Sequence, residues 1–171
     1  MKTQVSTRRG LILKIIYYSI ALLTICVVQL SFFFLISISG VTPDLLILLT
    51  IWITLAEGRF FGLFAGFLIG IFFDFVSMNL VGVNALTKTV VAFVAGLFYK
   101  EGEFSNIIRT NKFFVIVILS TLLHNILYYL ILIDLTSSDF GFNYFKFTFG
   151  STLYTLLASV PFYFLRIRRF W

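Results

Sequence analysis

The chain has 171 residues, of which 60% are hydrophobic and only 12% charged, with a formal charge of +6. A soluble domain carries about 25% charged residues, and one this small has too little interior to hide so much apolar surface. The cations stand at the ends of apolar runs rather than along one polar face, which argues against nucleic-acid binding.

One crossing of a hydrocarbon core of roughly 30 Å needs about 20 apolar residues, so the length holds one polytopic domain over residues 1–171 and no sizeable soluble one. No linker, low-complexity tract or long-period repeat interrupts it. The first crossing is expected over residues 11–38. Arg8 and Arg9 before an apolar stretch, with Ser37-Ile38-Ser39-Gly40 after it, resemble a signal sequence. The stretch is longer than the roughly 7–15 residues of a secretory segment, so a retained anchor is expected. Cys26, the single cysteine, lies inside this run, so no intramolecular disulfide forms.

Thr42-Pro43-Asp44 opens the second helix, expected over residues 43–57, with Thr42 as cap and Pro43 in the first turn, where its missing N–H is not needed. It is short for a full crossing. Glu57-Gly58-Arg59 makes a polar turn into a third helix over residues 59–77. The fourth, over residues 80–99, is interrupted by Asn84 and Lys88, and a re-entrant segment is the alternative there. Residues 100–112 form the longest loop. The fifth and sixth helices are expected over residues 112–135 and 142–165, with Pro161 bending the last turns.

Charge placement orients the bundle. With six crossings and the N-terminus inside, eleven cations fall inside: Lys2, Arg8, Arg9, Lys14, Arg59, Lys100, Arg109, Lys112, Arg166, Arg168 and Arg169. Lys146 alone falls outside, and Lys88 lies within a helix. Cytoplasmic loops collect Lys and Arg in this way, so both termini are expected in the cytoplasm.

Gly58, Gly62, Gly66 and Gly70 recur every fourth residue along the third helix, with Asp74 next at the same spacing. Glycine lets helix backbones approach closely in lipid, where hydrophobic force between helices is weak. Gly62, Gly66 and Gly70 therefore mark either packing within this chain or a groove for a partner's helix. A carboxylate inside a spanning helix needs a partner. The nearest cation is Lys88, roughly 12 Å into the fourth helix at 1.5 Å per residue, so an intramembrane pair between Asp74 and Lys88 is expected. Asn84, His124 and Asn125 are expected as buried polar contacts between helices, and Gln29 similarly. Tyr128, Tyr129, Tyr144 and Trp171 read as interfacial belt residues. With one histidine and one cysteine there is no soft-ligand metal cluster, and no HExxH, GxSxG or phosphate-binding loop occurs. The residues imply no catalysis, metal or cofactor.

From Pro43 to Gly96, about a third of the chain, the sequence resembles the rod-shape-determining membrane protein family MreD. The resemblance rests on Thr42-Pro43-Asp44-Leu45-Leu46, on Gly66-Phe67-Leu68-Ile69-Gly70-Ile71-Phe72-Phe73-Asp74 and on Gly82-Val83-Asn84-Ala85-Leu86. Leu80-Val81-Gly82 stands where the family has leucine–glycine, and Lys88 departs from the family's pattern. The resemblance implies an all-α membrane protein of six transmembrane helices, similar in fold to the substrate-binding subunits of energy-coupling-factor vitamin transporters. It also implies a noncatalytic scaffold subunit of the bacterial elongation machinery in the inner membrane. The partners it implies are MreC, RodA, a class B penicillin-binding transpeptidase and MreB filaments. The alternative is a small-molecule, vitamin-like binding subunit of a transporter, with a pocket near Asp74, Asn84 and Lys88.

Overall fold

The structure is a computed structural model and describes residues 2–37, 40–78, 80–132 and 140–167. Among these the chain is all helical: α1 Lys2–Ile36, α2 Leu45–Glu57, α3 Arg59–Ser77, α4 Val83–Leu97, α5 Phe104–Arg109, α6 Lys112–Leu132 and α7 Phe140–Ile167. Three stretches, Ile12–Ser31, Arg59–Ser77 and Lys112–Leu132, are long and apolar enough to cross a membrane.

The distribution of polarity is inverted relative to a soluble bundle. Phe60, Phe64 and Phe142 are largely exposed, whereas Asp74, Lys88, Thr50, Thr54, Thr87 and Ser120 are fully buried. Water as the surrounding solvent would favour the opposite arrangement, because ionised groups lose solvation when buried and phenyl rings gain from it.

At the centre lies α2, buried on nearly every side from Leu46 to Leu55. One side, with Ile47, Ile51 and Leu55, packs on Val91 and Ala95 of α4, Ile107 and Ile108 of α5 and Ile116 and Val117 of α6. Its other side, with Leu46, Leu49 and Ile53, meets Cys26 of α1 and Ile69 and Phe73 of α3. The closest helix pair is α3 with α4, followed by α6 with α7.

Several sequence-based boundaries shift. Asp44, not Thr42, caps α2: its extended backbone precedes the helix and its carboxylate accepts from the amides of Leu46 and Ile47. Pro43 thus precedes the helix rather than opening its first turn. Although Asn84 and Lys88 interrupt its apolar run, α4 is one unbroken helix of 15 residues, because both side chains point inward to polar partners. The stretch over residues 100–112 is not a plain loop but contains α5, since Ile107 and Ile108 are 4% exposed against the core and Phe104 meets Trp52 edge to face. Pro161 lies within α7, which continues to Ile167. The expected helix ends at 38 and 135, and the Arg168-Arg169 tail with Trp171, lie outside the described residues.

One end of the bundle gathers cations. Lys14 of α1 pairs with Glu57 at 2.7 Å, and Tyr18 donates to the same carboxylate at 2.8 Å. At the α2–α3 corner, Gly58 has φ +104°, a left-handed value that other residues seldom adopt. Tyr99 packs beside this corner, and Tyr163 donates to the Arg109 carbonyl at 3.1 Å. The opposite end, where α2 and α4 begin, holds the buried charges.

Candidate functional site

Two carboxylates organise that end, and each satisfies a helix N-terminus, where backbone N–H groups lack intrahelical acceptors and attract negative charge. Asp44 does this for its own helix: its Oδ1 accepts from the Leu46 amide at 2.9 Å and the Ile47 amide at 3.3 Å. Asp74, near the end of α3, reaches across to α4 instead. It accepts from the backbone amides of Gly82 at 2.9 Å and of Asn84 and Ala85 at 3.2 Å each.

Lys88 sits between these two ends. Its ammonium donates to Asp44 Oδ2 at 2.7 Å and to Asn84 Oδ1 at 2.8 Å, and lies 5.3 Å from the centre of the Phe73 ring. Asn84 turns its amide nitrogen to Asp74 Oδ1 at 2.8 Å. A continuous polar string thus runs Asp44, Lys88, Asn84, Asp74. Lys88 and Asp74, expected from the sequence as an intramembrane pair, are joined through Asn84. One helical turn separates Asn84 from Lys88, so Lys88 faces the start of α2 while Asp74 is taken by the amides opening α4.

Other helices feed the same knot. From α1, Gln29 accepts from the Leu45 amide at 3.1 Å and donates to Asp44 at 3.4 Å. From α7, Thr155 accepts from the Asp44 amide at 3.0 Å. From α6, His124 places Nε2 3.7 Å from Asp44 Oδ2. Five helices, α1, α2, α4, α6 and α7, therefore meet around Asp44. Sequence reasoning missed this central role of Asp44, although an acid immediately before an apolar run is a helix-start signal.

The glycines lie along the seam beside this string. A methyl group at Gly70 would meet the backbone of Asn84 and Ala85, and one at Gly66 would lie 2.7 Å from the Lys88 carbonyl oxygen. At Gly62 it would run into the Thr54 side chain of α2. The chain's own α2 and α4 occupy the face that could otherwise have formed a partner's groove.

Along α6 and α7 side chains make the contacts, and one of them, from Tyr144, reaches the Ile126 backbone carbonyl at 3.3 Å. Asn125 donates to Thr152 at 3.0 Å, and the hydroxyls of Tyr129 and Ser151 are 2.9 Å apart. Four buried polar atoms here, Ser120 Oγ, Thr121 Oγ1, His124 Nδ1 and Thr148 Oγ1, have no hydrogen-bond partner among the described residues.

Above the starts of α2 and α4 opens a cavity of about 660 Å³ whose lining includes Asp44, Asn84, His124, Tyr128, Phe73 and Phe147. Tyr128 and Tyr129, expected as belt residues, both line it. Among the described residues, no group of three or more His, Cys, Asp or Glu side chains is placed to hold a metal ion. Chemically the arrangement fastens helices and shapes a polar-floored recess. The Lys88 ammonium is fully buried and held by two acceptors, so it has no access to a substrate.

A family model described as rod shape-determining protein MreD matches residues 9–169. No curated protein and no solved structure matches the chain.

Proposed function

Because the chain belongs to the rod shape-determining protein MreD family, we propose that it is a noncatalytic membrane scaffold of the bacterial cell-elongation machinery. It organises lateral peptidoglycan synthesis by binding MreC, in company with RodA, a class B transpeptidase and MreB filaments. The family match over nearly the whole chain carries this reading, and the geometry is in keeping with it. The buried ionised groups are committed to one another, to helix ends and to neighbouring amides.

In the proposed topology a single domain crosses the inner membrane six times, through α1, α2, α3, α4, α6 and α7, in an arrangement similar to energy-coupling-factor substrate-binding subunits. Both termini are cytoplasmic. The gathering of Lys14, Arg59 and Arg109 at the end away from the cavity supports this orientation. The basic surface at that end, with Lys100, Arg109 and Lys112 exposed, then faces anionic lipid or the filament.

Since α4 fills the glycine face, a partner's helix must use an outward apolar face. The strongest is on α3, where Phe60, Phe64 and Phe75 are 82%, 72% and 66% exposed. Photo-crosslinkers at Phe64 on α3, Phe93 on α4 and Phe149 on α7, followed by purification from native membranes, test the proposal. An MreC adduct from at least one position is expected. Capture of transporter ATPase subunits without MreC would replace the scaffold with a transport subunit.

A further inference from the structure

Short central helices inside a longer outer shell create the recess. At 1.5 Å per residue, α2 and α4 span roughly 20 Å each, less than the roughly 30 Å of a hydrocarbon core. Their N-termini therefore stop short, and the cavity fills the gap above them, walled by α1, α3, α6 and α7. Its volume of about 660 Å³ falls within the roughly 300–1,000 Å³ typical of small-ligand pockets.

The walls are aromatic. Tyr128 stacks on His124 with ring centres 5.6 Å apart and planes 12° from parallel, and Tyr129 stacks on Phe147 at the same separation. The floor is polar and specific in sign. Asp44 lines the cavity and keeps 17% of its side chain exposed, while His124, almost wholly buried, stands 3.7 Å from it.

An anion finds no welcome there. Among the described lining residues there is no Lys or Arg, and the Lys88 ammonium beneath them is sealed from the cavity. The two helix N-termini, which elsewhere attract phosphates and carboxylates, are already occupied by Asp44 and Asp74. The Asp44 carboxylate, bonded to Lys88 on its buried side at 2.7 Å, still turns part of its surface to the cavity, where a cation also meets the faces of the tyrosine rings.

From this convergence we propose that the cavity is a binding site for a small aromatic molecule bearing an amine. The ring lies against Tyr128, the donor group points to Asp44, and carboxylated or phosphorylated analogues are rejected. This goes beyond the scaffold reading and does not depend on it.

The test uses the full chain in nanodiscs of zwitterionic phosphatidylcholine, with ligand-observed NMR and calorimetry. Tyramine is the probe, and 4-hydroxyphenylacetate, with the same ring and hydroxyl but the opposite charge, is its counterpart. Saturable tyramine binding is expected, with the acid at least about tenfold weaker. Thr42→Trp, which fills the recess from the loop before α2, should abolish tyramine binding while helical content and elution volume stay unchanged. Tyr128→Leu, which removes one wall, should weaken it by about tenfold. No saturable tyramine binding, equal binding of the two probes, binding that survives in a folded Thr42→Trp protein, or undiminished affinity in a folded Tyr128→Leu protein would each overturn the proposal.

Discussion

The α3–α4 seam and the α6–α7 seam solve the same problem in different ways. In the first, glycines bring backbones together, and Asp74, Asn84 and Lys88 are hydrogen-bonded to one another and to helix ends. In the second, hydroxyls and amides meet through single hydrogen bonds, and several buried hydroxyls lack a partner among the described residues. The first seam is defined by shape and charge and leaves little room for adjustment. The second is made of weaker, separable contacts, and both seams border the cavity. The side that holds the fold is thus distinct from the side that is able to adapt.

Graded substitutions should expose this contrast. Lys88→Met is expected to be the most damaging, at about 3–5 kcal/mol, because it strands the Asp44 carboxylate in the interior. Reversible unfolding in detergent would show it, and adding Asp44→Asn should recover part of the loss even though the α2 cap is weakened. Gly70→Ala comes next, at about 1–3 kcal/mol, since the added methyl meets backbone rather than a flexible side chain. Its reference is Gly141→Ala, where nothing lies within 4 Å, and the melting temperatures of the two should separate clearly. Thr152→Val on the other seam removes the contact with Asn125 at about 0.6 kcal/mol, an average value for hydrogen bonds between membrane helices. A Thr152→Val effect as large as that of Gly70→Ala would erase the distinction between the seams.

Much of the bundle was legible from apolar runs. The third helix, read over residues 59–77, occupies Arg59–Ser77, and its glycines lie along the seam where backbones meet. Spacing along one helix could not say which neighbour fills that seam. Asp74 was singled out as needing a partner; in the structure it takes amides at the start of α4, and backbone donors leave no mark in a sequence. Lys88 was expected to choose the nearer acid in sequence. It chose Asp44, 44 positions away, because the packing of α2 against α4 decides the distance. The short α5 escaped notice because six residues are too few for a periodic signal, although Phe104, Ile107 and Ile108 supplied the apolar contacts.

The sealed ammonium of Lys88 has a consequence for biogenesis. Under the proposed six-crossing topology, α4 carries a positive charge into the bilayer with no acidic residue on its own helix. A lone lysine at the middle of an inserting segment disfavours release from the translocon by about 2.5–3.5 kcal/mol. The counter-charge belongs to α2, made earlier by the ribosome and separated by one intervening crossing. On that topology, release of the three helices as a group lets Asp44 meet the lysine before α4 faces lipid. Assembly order is thereby written into a single ion pair.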